Sequence, residues 1–351
     1  MKTGRSIVEL ATELERQRTT RRDFVAPVSA VSMTQDEHDS VTLNLDGQGF
    51  FPPTEIAHNQ ISEFVGVPNK YYKRMLSEAP QLLVNNVNHW LRSEDSNQRM
   101  VRTLDGRTRA FLSDKYRPLD NMELAELAFP ILKESGCEIT SCEITEKRMY
   151  IKAVTPKLEY EVKKGDVVQA GIVISNSEVG MGALSVEPLL YRLVCLNGMI
   201  INDAKMRRTH VGRGNEQFSQ VSEFFRDSTR EADDKVFWMK VRDVISASFS
   251  ATGFDKFVAR FSEAQNDKVT GSPMKVLDVT QKLLGFSEHE KETVLKHFLI
   301  DNDMSRFGLA NAITRASQDL DNYDRATEFE RIGGNVIELN KRDWSTIAEA
   351  N

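Results

Sequence analysis

The hydrophobic period of this chain changes once, near Gly214, and that change limits what it can fold into. Before it, strand-like alternation and short unbroken apolar runs prevail, with a few helical stretches between them. After it apolar residues recur at three- and four-residue spacing, the pattern of helices. Strands gathered in one stretch and helices in another predict an α+β fold. A doubly wound parallel sheet would need strand and helix to alternate. The expected organisation is an N-terminal helix and linker over residues 1–24, an antiparallel sheet core built from hairpins with flanking helices over 25–213, and a helical region over 214–351.

Local signals fill in this outline. Ser6 to about Arg18 reads as a first helix with Ile7, Leu10, Ala11 and Leu14 on one face. Two strand-like runs follow within Val28–Leu45. Thr54 is a good N-cap for a helix to Val65, Gly66 ends it, and Pro68 opens a short second helix, Asn69–Ser77. Lys70, Tyr71, Tyr72, Lys73 and Arg74 on that helix invite a helix-turn-helix reading, but the proline in the turn favours a plain helical hairpin. Asp105-Gly106 between Met100–Leu104 and Arg107–Ser113 is a strong hairpin signal. Strict alternation would put Arg107, Arg109 and Phe111 on one face of its second strand. A helix over Asn121–Ser135, interrupted at Pro130, precedes a hairpin of Cys137–Ile144 with Arg148–Val154, then Leu158–Val162. Val167–Ser175 and Leu184–Leu196 are almost wholly apolar and belong in the middle of a sheet covered on both faces, with Asn197-Gly198 as a tight turn. Helical spacing covers Asn215–Phe249, Asp255–Ala264, Met274–Leu284, His289–His297 and Arg306–Ile332, with a frayed tail around Trp344.

Composition excludes several classes. With 351 residues, 40% hydrophobic and 28% charged, the chain is neither disordered nor collagenous. No apolar run is long enough for a membrane span, and the glutamate-bearing N-terminus lacks an apolar signal core, so a cytoplasmic protein without a membrane partner is expected. Cys137, Cys142 and Cys195 fit a reducing compartment, with Cys195 inside the apolar LVCL as a packed thiol. The six histidines are scattered and HExxH is absent, so no metal site is expected. Gly180 and Gly182 form neither GxGxxG nor a Walker sequence, and no cofactor is expected. Asp301, Asp303, Asp319, Asp321 and Asp324 lack the glutamate an EF-hand needs and read as a solvated helix face. No catalytic residues are proposed. A metal-dependent nuclease built on scattered carboxylates is the enzyme-class alternative.

Charge supplies the leading functional expectation. The net charge of −6 lies wholly beyond Gly214, where 18 bases face 24 acids. Upstream, bases cluster twice. Arg107, Arg109, Lys115 and Arg117, with Phe111 and Tyr116, occupy a strand and its following loop; Lys205, Arg207, Arg208, His210 and Arg213 follow a buried strand that carries Arg192. Guanidinium groups hold phosphates and interleaved aromatics stack bases, so these twelve residues are the candidate interface for single-stranded nucleic acid. About six phosphates neutralised would give a salt slope of about −4. The competing reading makes the two clusters solvated hairpin edges, with Arg117 paired to Asp114 or Asp120 to tie down the loop before Pro118. Two partner expectations of another kind are a host protein docking on the acidic helical region and a homo-oligomer.

Three blocks add a family resemblance: RAFLSDKYRPLDN (Arg109–Asn121), GIVISNSEVGMGALSVEPLLYRLVCLNGMI (Gly171–Ile200) and RFGLANAITRASQDLDNYDRATEFERIGG (Arg306–Gly334). In this order they resemble the phage and plasmid family of the domain of unknown function 932, over roughly residues 50–335. The middle block reads SNSEVG where the family pattern has a Ser-His-Asp-Gly-like turn, which removes a histidine. The resemblance implies a mobile-element origin and a place in DNA metabolism. The layout is also distantly similar to phage single-strand annealing proteins, an analogy of fold alone.

Overall fold

A computed structural model describes residues 1–37, 40–93, 97–116, 119–201, 227–247, 249 and 251–351. Helix α1 (Ile7–Thr20) starts in a capping box: the Glu9 amide donates to the Ser6 hydroxyl, and the Ser6 amide donates to the Glu9 carboxylate. Strand β1 (Arg22–Pro27) follows, then the meander β2 (Val31–Gln35), β3 (Val41–Leu45) and β4 (Gly49–Phe51). Thr54 caps α2 (Glu55–Phe64), Gly66 turns the chain at φ +66°, and α3 (Asn69–Glu78) follows. The next helix, α4 (Pro80–Ser93), was absent from the sequence reading. Its Leu83, Val84, Val87 and Leu91 close a core with Met33, Leu43, Tyr72 and Phe111.

Strands β5 (Gln98–Leu104) and β6 (Arg107–Ser113) form the expected hairpin and pair with β1 in the order β1-β5-β6. Helix α5 (Asn121–Glu134) carries Pro130 without interruption. Then come β7 (Glu138–Ile144), β8 (Met149–Lys163), β9 (Asp166–Asn176), β10 (Ser185–Arg192) and β11 (Asn197–Ile200), an antiparallel sheet ordered β11-β10-β9-β8-β7. As expected, β9 and β10 are interior. Ile151, Ala153, Ile172 and Ile174 pack against Leu10, Leu14, Leu124 and Leu132 of α1 and α5, while Tyr150, Val154, Val173 and Leu189 fill the opposite face.

The helical region comprises α6 (Asp227–Ala247), α7 (Ala251–Asn266), α8 (Pro273–Leu284), α9 (Glu288–Asp301), α10 (Arg306–Ala316), α11 (Tyr323–Glu338) and α12 (Lys341–Ala348). It is locked to the sheet by a buried ion pair. Lys152 Nζ on β8 lies 2.7 Å from Glu330 Oε2 on α11 and 4.6 Å from the Tyr323 ring centroid. With antiparallel sheets flanked by α1–α5 in the first part and a helical region after them, the protein is α+β.

Several local expectations change. Asn197-Gly198 is strand rather than turn; the chain reverses just before it, with Leu196 at φ +51°. Cys195 therefore sits partly exposed in that reversal, near Arg192 Nη1, instead of inside a strand. The run Arg306–Ile332 is two helices, broken at Ser317–Asp319. The tail is not frayed: Trp344 and Ile347 of α12 are buried in the helical core, and the Arg306 guanidinium lies over the Trp344 ring.

Candidate nucleic-acid interface

The candidate interface begins with the turn of the β5–β6 hairpin. Asp105 and Gly106 take φ +51° and +73°, the left-handed pair a two-residue turn requires. Thr103 pairs with Thr108 while the adjacent Arg102 pairs with Ala110, which leaves Arg109 as the extra residue of a bulge. A bulge breaks alternation and re-aims a side chain. Phe111 therefore enters the N-terminal core at 1% exposure, whereas Arg109 runs to Glu178 on the loop after β9.

Glu178 is the hub of a buried charge network. Its carboxylate accepts from Arg109 Nη1 at 2.7 Å, from Arg21 Nη1 at 3.3 Å and from the backbone N–H of Asn121 at the start of α5, 2.8 Å. Beside it, the fully buried Arg102 donates through Nε and Nη2 to the two oxygens of Asp23, at 2.9 and 2.8 Å, and through Nη1 to the Glu178 carbonyl. Asp120 takes Arg21 and Arg102. Three arginines thus balance three carboxylates, and Arg99 stacks on the rings of Phe64 and Phe111. Most of the basic stretch before Lys115 is architecture.

One side of this network opens as a cleft of about 280 Å³. Its cations are Arg16, Arg107, Arg109, Lys147 and Arg148; its carboxylates are Glu13, Asp105, Glu146 and Glu178. Arg16 is held by Glu13 and Asp105, and its hydrogen bond keeps the Asp105 carboxyl below the usual carboxylate range. Arg148 donates to Ser175 Oγ and the carbonyls of Met181 and Ala183, all neutral, so its charge is not cancelled by those bonds. The Arg107 side chain is exposed and makes no hydrogen bond or ion pair with a described residue; the same holds for the ammonium of Lys147. Arg109 Nε and Nη2 are buried without an acceptor.

The sequence-derived set is therefore divided. Arg107 and Arg109 share this cleft. Lys115 is exposed beyond the other end of β6, about 20 Å along the strand at some 3.3 Å per residue. Tyr116 donates its hydroxyl to the Ser177 carbonyl, and burial raises its pKa. Arg192 is corrected to a structural residue: its fork binds both oxygens of Asp166, at 2.6 and 2.8 Å, and it lies near Phe307. Phe111 is likewise corrected to a core residue. Arg117, Lys205, Arg207, Arg208, His210 and Arg213 lie outside the described residues. Sequence reasoning missed Lys147, Arg148 and Glu178. The signals were a basic pair in the β7–β8 turn and a polar SNSE run closing an otherwise apolar strand.

The family model described as Domain of unknown function (DUF932) matches residues 110–324, more than half of the chain. The chain belongs to this family. The DUF932 segment includes Lys147, Arg148 and Glu178, while Arg16, Arg107 and Arg109 precede it. No curated protein and no solved structure matches the chain. Among the described residues, no three His, Cys, Asp or Glu side chains gather as a metal would require, and no helix is long and apolar enough to cross a membrane.

Proposed function

We propose that this DUF932 protein binds single-stranded nucleic acid without chemistry of its own, through the cleft at the β5–β6 turn, and serves the DNA metabolism of a mobile element. The observation that supports the reading is that Arg107, Lys147 and Arg148 line one cleft with no carboxylate of the described residues bound to any of them. Charged groups left uncommitted at a concave surface are what a phosphate recruits. With Phe111 internal, that ring stacks no base. Recognition is phosphate-led and independent of sequence.

A salt titration of a labelled single-stranded oligonucleotide tests this. Three cleft cations give a slope of about −2 in log K against log salt, while a slope of about −4 requires a second group of contacts such as Lys205, Arg207 and Arg208. No binding at low salt rejects the reading.

A second reading rests on a separate observation. Met274, Leu283, Leu299 and Ile300 are exposed apolar residues on α8 and α9 of the acidic region, at 51–67%. A protein partner, a host factor or another copy of the chain, would cover them. Sedimentation of the purified protein over a concentration series tests self-association, and Ile300→Lys abolishes it if that face is used. A monomer throughout rejects the homo-oligomer.

A further inference from the structure

The cleft is not uniformly positive, and its mixed lining says more about its ligand. Lys147 and Arg148 stand with Glu146 in the β7–β8 turn, and Arg107 follows Asp105 across the β5–β6 turn; all five line the cleft. Glu13 and Asp105 share one cation, Arg16. Arg109, 9% exposed, also lines the cleft, with Nη1 on Glu178 and two N–H groups lacking an acceptor. The lining also carries Glu13, Asp105, Glu146 and Glu178, so a strand passing through would place successive phosphates beside carboxylates, where like charges repel. A phosphate monoester instead concentrates about −1.5 to −2 charge at one point. That suits Arg107, Lys147 and Arg148, whose side chains are ion-paired to no described carboxylate, and its oxygens are the acceptors that two N–H groups of Arg109 lack. The hydroxyl and amine donors of an attached nucleoside suit the Glu13 and Asp105 carboxylates. At about 280 Å³ the cleft is at the small end of ligand sites, which run from roughly 300 Å³ upward.

We propose that this cleft seats a nucleoside phosphate monoester, with the phosphate on Arg107, Arg109, Lys147 and Arg148, so that a strand is engaged by its phosphorylated end rather than along its length. The inference deepens the nucleic-acid reading and, for strands, rests on it. The same chemistry can come from a strand end or from a free mononucleotide.

Fluorescence anisotropy with one short oligo-thymidine strand separates these cases. The strand carries a terminal phosphate or a terminal hydroxyl, and thymidine monophosphate, thymidine or inorganic phosphate is added as competitor. The phosphorylated strand binds about tenfold or more tightly than the hydroxyl strand, as expected for charge-assisted bonds to one extra charge. Thymidine monophosphate competes and thymidine does not. Arg107→Ala and Lys147→Ala, both at exposed side chains, each remove most of the terminal advantage. Equal affinity for the two strands overturns the inference and leaves strand binding standing. Binding of thymidine monophosphate, followed by calorimetry, with neither strand bound supports the cleft assignment and overturns the strand reading. No binding of any probe overturns both.

Discussion

Removing Glu178 destabilises this protein far more than removing Arg109, although the two form one ion pair. Glu178 is 5% exposed and accepts from Arg109, Arg21 and the Asn121 amide. Glu178→Ala strands the Arg109 guanidinium, already short of acceptors at Nε and Nη2, with none at all. Breaking a buried pair in this way costs about 3–5 kcal/mol. Arg109→Met leaves Glu178 with Arg21 and the helix N–H. It also removes two buried unsatisfied donors, each of which costs about 1–3 kcal/mol in the wild type. The net loss is then below about 2 kcal/mol. Urea unfolding of both single variants and the double variant, with midpoints compared at matched slopes, measures this. The double variant falls short of the sum of the singles, because the second substitution removes a group the first has orphaned. An Arg109→Met cost equal to or above that of Glu178→Ala refutes the network as described.

Three further expectations concern the scaffold. Burial lowers the His58 pKa from 6.5 to about 4, and the ring nitrogen Nδ1 sits 3.0 Å from the Tyr72 hydroxyl. The folded value is depressed, so the unfolded chain binds the proton first. Stability intact above pH 6.5 is lost as pH falls towards 4, by up to about 3 kcal/mol; His58→Gln flattens that part of a stability–pH profile, and an unchanged slope counts against it. At Gly334 on α11 a Cβ would overlap the carbonyl oxygen of Ile200 on β11. Gly334→Ala therefore lowers the unfolding free energy by about 1–3 kcal/mol, and a neutral result contradicts the close approach. Trp344→Ala, at a residue 7% exposed, costs about 3–5 kcal/mol by thermal or urea unfolding, where a frayed tail would show almost no change.

What could be read from the sequence was local. Ser6 and Thr54 cap helices, and Asp105-Gly106 turns a hairpin, through contacts within three or four residues. The unbroken apolar run of β9 signalled an interior strand because covering both faces requires it. What escaped depends on distant partners. The burial of Arg102 is set by Asp23, Asp120 and Glu178, as many as 79 residues away. Alternation along β6 failed at Arg109 because a bulge carries no residue signature there. Trp344 looked stranded among polar neighbours because its cation, Arg306, lies on another helix. The candidate interface was half legible. Arg107 and Arg109 came from charge clustering, whereas Lys147 and Arg148 looked like an ordinary charged turn.

The central claim is that uncommitted cations at one cleft hold a nucleic-acid phosphate. Its most direct test is charge reversal at the two exposed members, Arg107→Glu with Lys147→Glu, read by low-salt binding to a labelled single strand alongside the melting temperature. The account predicts that the wild type binds, and that the double variant keeps its melting temperature while losing binding. A folded double variant that binds as tightly as the wild type would contradict it.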